Sequence, residues 1–348
     1  MEEEKMDRTT KMAVAGIVVG IIAVGMLAAF FILRSGEKEP DLVIYSYDSF
    51  AAMADAVVKK FESQTGLKVK LYLYEDGGSV ITQAEAEKGK PKADLLIGID
   101  NSLLARSRKA GILEPYTPPS YQKIPDWLKF DSSGNLTPFD YGYIAIAYNS
   151  SALQEPPRNF TDLTDPKYAG KILLQDPSSS TVGASFMMYC AIMSGENYTT
   201  FLQGLKGNVK AIKSGWYSSF KDFEAGEAPM FVSYSTDLAY SVHEYGNTKY
   251  NVTIPSNTGY AQIEGMGIVK GAAHRTAAEQ FIEFALSPAF QQEIPLNNWM
   301  LPVIPDTPLP QVFKDYVVIP SANCTVDSNY LAANYETWLT QWRNVMNV

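Results

Sequence analysis

The stretch "ADLLIGI", residues 93–99, constrains this chain most tightly. Its apolar letters follow one another without alternation, so the strand they form is covered on both faces. That is the habit of a parallel strand held between two layers of helices. The neighbouring text supplies those helices. Upstream, "LVIYSY" (42–47) reads as a first strand. Phe50, Met53, Ala54, Val57, Val58 and Phe61 then recur at spacings of 3, 1, 3, 1 and 3, which is one apolar helical face. Gly66 stops that helix, and "LKVKLYLY" (67–74) alternates as a strand does. Glu75-Asp76-Gly77-Gly78 turns into a second helix, and Asp100-Asn101-Ser102 open a third that closes near Gly111. The order β-α-β-α-β-α predicts an α/β fold, a mostly parallel sheet flanked by helices.

A second series follows after residues 115–138, a stretch rich in Pro, Tyr and Ser with no firm period. "FDYGYIAIAYNSS" (139–151) reads as a strand that crosses to another lobe. Next come "KILLQ" (171–175), a helix from Thr181 to about Met193, "VKAIK" (209–213) and a helix near 217–225. "PMFVSYS" (229–235) precedes a helix at 237–245, and 251–260 reads as a linker. "AQIEGMGIV" (261–269) looks like a strand returning to the first lobe, ahead of a helix at 274–287 and a helical C-terminal "NYLAANYETWLTQW". A length of 348 residues suits about two such units. The expected division is 42–138 with 262–304 as one lobe, and 139–261 with 305–348 as the other.

The N-terminus is of another kind. Residues 13–33 number 21 and carry no charge, about the length a helix needs to cross a bilayer and longer than the apolar part of a secretory signal. Lys5, Arg8 and Lys11 precede the run, while only Arg34 and Lys38 follow it closely, which favours an internal N-terminus. The reading is a cytoplasmic 1–12, a transmembrane anchor at 13–33, a linker at 34–41, and the bulk of the chain on the extracytoplasmic side of the cell membrane. A net charge of −9, with no basic block after residue 42, excludes a nucleic-acid surface. Cys190 lies in an apolar helical run and reads as a buried free thiol, with a Cys190–Cys324 disulfide as the less favoured alternative.

In open parallel sheets, ligands bind beyond the carboxyl ends of the strands. The first series presents Tyr47-Asp48-Ser49, Glu75-Asp76-Gly77 and Asp100-Asn101 at those ends. The second presents Asp176 to Thr181, Gly215-Trp216-Tyr217 and Tyr234-Ser235-Thr236-Asp237. Taken singly, Asp48, Asp100, Ser102 and Ser178 are ordinary helix N-caps. Acids and aromatics recurring at equivalent ends of both series point to a small, partly aromatic cation held between two lobes. G-x-S-x-G, H-E-x-x-H, C-x-x-C and the phosphate-binding loop are all missing, and the two histidines, His243 and His274, fall in helical text. A binding module without a cofactor fits better than an enzyme.

Seven blocks in register carry a family resemblance: "YSYDSFA", "ADLLIGIDNSLL", "PFDYGYIAIAYN", "QDPSSSTVG", "KSGW", "SYSTDLAY" and "SPAFQQEIPLNNWMLPV". Together they resemble the thiamine-binding proteins of ABC-type thiamine importers, over nearly all of residues 42–348. The related ferric-iron branch usually presents adjacent tyrosines, and no Tyr-Tyr pair occurs here. The resemblance implies a two-lobed periplasmic-binding-protein (Venus-flytrap) fold that closes on thiamine or a thiamine phosphate. It also implies an ABC permease and its ATPase subunit as partners. By motif, the implied ligand contacts are Tyr47, Asp76, Gly77, Ser180 and Thr181, then Trp216, Tyr234, Ser235, Thr236, Asp237, Tyr240 and Trp299. Asp76 would accept from the aminopyrimidine amine. Ser180 and Thr181 would hold the hydroxyethyl end or a phosphate, while Asp48 and Ser49 mainly cap a helix. The chain departs from the family pattern at Met53-Ala54, where a Trp is common, at Asp237, where a small hydroxyl residue is usual, and in the extra glycine of Gly77-Gly78. A receptor for another cation, such as a polyamine, and a thiamine-processing enzyme with a cleft cysteine are the alternatives.

Overall fold

A computed structural model describes residues 39–246, 248–324 and 326–348, and the expected anchor at 13–33 lies outside them. Among the described residues, no helix is long and apolar enough to cross a membrane. Asp41–Val348 form one unit. Its strands in chain order are β1 (Leu42–Tyr47), β2 (Val69–Tyr74), β3 (Leu95–Asp100), β4 (Leu113–Glu114), β5 (Thr137–Asn149) and β6 (Ile172–Gln175). They continue as β7 (Val209–Lys213), β8 (Met230–Tyr234), β9 (Tyr250–Thr253), β10 (Thr258–Gly259), β11 (Ala261–Val269), β12 (Leu301–Pro302) and β13 (Ala322–Asn323).

One path of hydrogen-bonded neighbours runs β2-β1-β3-β11-β5-β8-β6-β7. Both ends are parallel, β2-β1-β3 on one side and β8-β6-β7 on the other. The centre is antiparallel, because β11 runs against β3 and β5, and β5 runs against β8. β5 spans the change: residues 137–143 pair with β11, while residues 144–148 pair with β8. Residues 251–253, the start of the expected linker, instead join Tyr250 in β9 on the far half of β5.

The expected periodicity sets the packing. The helix Ala51–Thr65 buries Met53, Ala54, Val57 and Phe61 and ends at Gly66, whose φ of 74° is open to glycine without strain. Phe61 meets the rings of Phe281 and Phe284 at centroid distances of 5.0 and 5.5 Å, which fixes the helix Arg275–Ala285 beside it. β3 is buried along its whole length, as its unalternating text requires. The helix Thr181–Ser194 has no polar face either and is buried from Thr181 to Ala191. Cys190 and Cys324 are both free thiols, with Cys324 Sγ 3.3 Å from Met193 Sδ, so the disulfide alternative does not hold.

Candidate functional site

The ends of β1, β2 and β8 and the starts of four helices converge on a cleft of about 760 Å³, open to solvent at its mouth. Tyr47, Asp48, Ser49, Glu75 and Asp76 form one side. Thr181, Val182, Trp216 and Phe220 face them, with Tyr234, Asp237 and Tyr240 beyond. Glu264 and the Asn297–Met300 segment complete the wall. Of the residues expected from the sequence, Gly77, Ser180, Ser235 and Thr236 lie behind this wall, each buried. The other eight line it.

Asp76 ties the two sides together. Its Oδ1 accepts the Gly77 N–H at 2.7 Å and the Thr181 N–H at 2.8 Å, and its Oδ2 accepts the Ser180 hydroxyl at 2.9 Å. It therefore caps the helix Gly77–Ala86 and also meets the start of Thr181–Ser194. Burial raises its pKa, and the bonds from Thr181 and Ser180 oppose that shift. The Gly77-Gly78 pair makes the approach possible. A Cβ on Gly77 would lie 2.2 Å from the Gly98 carbonyl oxygen, and one on Gly78 would lie 2.3 Å from that of Ser179. The extra glycine is thus a packing requirement.

The expectation that Asp48 and Ser49 mainly cap the first helix fails. β1 runs into a 3-10 turn, Asp48–Phe50, whose cap position is Tyr47, one residue before Asp48 and two before Ser49. Neither this turn nor the helix after it has a side-chain cap bond, and both residues face the cleft. Half-buried and repelled by Asp76 and Glu75, the Asp48 carboxyl is pushed up to about 6. Asp100 behaves as the plain reading expects: its Oδ1 accepts from Ser102 and Leu103 and stays out of the cleft.

The aromatic wall is braced from behind. The Trp216 indole opens the helix Trp216–Glu224 and stacks on Phe220 at 5.1 Å, nearly parallel at 7°. Its Nε1 donates to the Ser233 hydroxyl at 2.8 Å, and Ser233 also bonds Asp237. Burial pushes the Asp237 carboxyl up to about 7. Trp299 has a φ of 55°, rare for a bulky side chain. It is held between Phe313, stacked at 5.8 Å, and the edge of Tyr240 at 5.0 Å.

Sequence reasoning missed Glu264. On β11 it stands opposite Asp100 of β3 and Asp140 of β5, which places three acids in a row across three strands. The Tyr47 hydroxyl donates to Glu264 at 2.6 Å, and Asn298 donates to Tyr47 at 2.9 Å and to Asp140 at 2.6 Å. Burial and the mutual repulsion of the pair hold Glu264 well above the usual carboxylate range, and burial pushes Asp140 up to about 8. A lone carboxylate inside the otherwise apolar "AQIEGMGIV" was the available signal. Among the described residues, no Lys, Arg or His lines the cleft. His274 is held by Asp94 at 3.0 Å.

An aromatic cleft with an acidic rim, and no basic side chain among its described lining residues, can stack on and attract a flat cation. Comparison with known proteins gives the same kind of neighbour. Residues 90–334 match the family described as bacterial extracellular solute-binding protein. The chain is 31% identical over 318 residues to the thiamine-binding periplasmic protein of Salmonella typhimurium, covering 89% of this chain and 94% of that one. It is 30% identical over 313 residues to the protein so named in Escherichia coli, with the same coverage of 89% and 94%. It also superimposes on the solved structure of a periplasmic thiamin binding protein with a TM-score of 0.80, at 28% identity, covering 88% of this chain and 96% of the other. The fold is that of the periplasmic binding proteins, and the chain belongs to the bacterial extracellular solute-binding protein family.

Proposed function

We propose that this chain is an extracytoplasmic receptor that captures thiamine in the cleft and delivers it to an ABC importer, its permease and ATPase. One observation carries the reading: Trp216, Tyr240 and Trp299 share a wall with Asp48, Glu75 and Asp237, and no basic side chain lies among them. Thiamine joins a permanently cationic thiazolium to a flat aminopyrimidine. Aromatic faces stabilise such a cation by roughly 0.5–2 kcal/mol each, and a half-buried carboxylate adds Coulomb attraction that water screens poorly. The relatives named for thiamine binding support the choice of ligand. A polyamine would satisfy the acids and leave the stacking faces without a planar partner. A thiamine-processing enzyme would need an accessible nucleophile, whereas the Cys190 thiol is fully buried and held well above its usual pKa.

The ligand contacts in this proposal are Tyr47, Asp76, Thr181, Trp216, Tyr234, Asp237, Tyr240 and Trp299, with Asp48 added. Gly77, Ser180, Ser235 and Thr236 support them from behind. The two lobes, 42–138 with 262–304 and 139–261 with 305–348, hinge about β5, whose first half pairs with β11 and whose second half pairs with β8, and about the chain entering β11. Asp76 then acts as a latch, because it belongs to the first lobe while Ser180 and Thr181 belong to the second. The uncharged run at 13–33 tethers the receptor to the membrane. Cell fractionation tests the tether, and a soluble mature form beginning near residue 34 would remove it. Mass spectrometry of the small molecules retained through purification tests the ligand. Thiamine recovered intact supports a receptor, and cleavage products after incubation with thiamine would point to an enzyme.

A further inference from the structure

We infer that Asp140, fully buried and outside the cleft lining, is a positioning residue: through the Asn298 amide it holds the Trp299 and Tyr47 rings where the cleft grips its ligand. Its effect on thiamine affinity rests on the thiamine reading, whereas the placement of the two rings does not. Trp299 needs a holder. Its φ of 55° lies in the left-handed region, which costs energy for any residue with a Cβ. A residue persists there only where its surroundings over-determine it. Two anchors meet that need, and both sit on the same stretch of β5. Ahead of Trp299, the Asn298 Nδ2 donates to Asp140 Oδ2 at 2.6 Å. Behind it, Leu301 and Pro302 of β12 pair with Tyr141 and Asp140. Only Trp299 and Met300 lie between the anchors, so the chain passes from one to the other through the strained angle.

The same amide reaches a second ring. Asn298 Nδ2 also donates to the Tyr47 hydroxyl at 2.9 Å, and that hydroxyl donates to Glu264 at 2.6 Å. One acceptor thus fixes two aromatic side chains of the cleft wall. Asp140 suits the task. β5 holds it between Glu264 of β11 and Pro302 of β12, and its burial keeps water from competing for the bond. An ionised carboxyl also accepts a stronger bond than a neutral oxygen does. The rings of Phe313, Tyr240 and His243 stand 5.8, 5.0 and 5.4 Å from that of Trp299, centroid to centroid. They support the indole but leave the backbone angle free, so they do not replace the Asp140 anchor.

The test is Asp140→Leu in the full-length chain labelled with fluorotryptophan, beside Asp140→Asn, whose amide oxygen can still accept from Asn298. Fluorine NMR without ligand reads the Trp299 resonance, identified by its loss in Trp299→Phe. It should shift or broaden in Asp140→Leu and return towards its wild-type position in Asp140→Asn. Thiamine affinity, measured by calorimetry, should fall about 5–30-fold in Asp140→Leu, the loss expected when one stacking face moves away. It should recover in Asp140→Asn. In a Trp299→Ala background the Asp140→Leu change should cost less, because the ring it positions is already gone. An unmoved Trp299 resonance would overturn the positioning, whatever the affinity does. So would losses that simply add in the double variant. If Asp140→Leu does not fold, Asn298→Ala breaks the same bond from the cleft side and is read by the same resonance. If the wild type binds no thiamine, the thiamine reading falls, and the resonance still decides for or against Asp140.

Discussion

Tyr47 and Glu264 lie 217 positions apart in the chain, yet the tyrosine hydroxyl donates to the glutamate carboxyl at 2.6 Å. The bond joins the end of β1 to β11 at the cleft wall, beside a second buried acid, Asp140. Both carboxyls hold their protons more tightly folded than unfolded, so each costs stability once the unfolded chain can ionise. That cost begins above pH 4 and grows until the folded groups titrate, near 8 for Asp140. Asp100 and Asp237, each pushed up to about 7, act in the same direction.

The melting temperature of the unliganded protein is therefore expected to fall between about pH 5 and 8. Glu264→Gln removes one of the responsible groups and should raise the melting temperature more at pH 8 than at pH 5. A scan of both proteins against pH checks this. Equal shifts at the two pH values would mean that the Glu264 charge has no such cost.

Binding should show the opposite dependence. A cation in the cleft favours the ionised forms of Asp48 and Asp237, whose free carboxyls are pushed up to about 6 and about 7. Protons are then released on binding, and affinity rises from about pH 5.5 to 8. Titration calorimetry in two buffers of different ionisation enthalpy measures the released protons directly. Proton uptake, or none, would place the cation away from both acids.

Much of this was legible in the chain, and the exceptions share a cause. "VKAIK" and "AQIEGMGIV" form strands at the expected residues because their apolar patterns decide burial locally. The helix Asp237–Tyr245 likewise begins and ends where its text does. Cleft aromatics were readable because Trp216, Tyr234 and Tyr240 follow strand ends. Glu264 was not, because its meaning depends on Asp100 and Asp140 arriving on either side, which is a matter of strand register. Asp76 was recognised as a site residue, but not as the shared partner of Gly77 and Thr181, a contact spanning 105 positions. The misreading of Asp48 came from a 3-10 turn that shifted the cap by one residue.

The tryptophans give a residue-level test. Trp216 lines the cleft with its ring fixed by Phe220 and Ser233, so its face is already in place for a cation. Trp216→Ala should weaken thiamine binding by roughly 1–2 kcal/mol, or about 5–30-fold. Trp127, 47% exposed and outside the cleft lining, serves as the control, and Trp127→Ala should leave affinity intact. A folded Trp216→Ala protein with wild-type affinity would remove this ring from the site.

The most direct measurement is a titration of the full-length protein with thiamine, followed by heat and by tryptophan fluorescence in the same samples. Trp216 and Trp299 flank the cleft, so one thiamine per chain should bind saturably and quench the emission, with spermidine unable to displace it. Saturation by spermidine, with neither heat nor quenching from thiamine, would contradict a thiamine receptor and leave a cleft for a different cation.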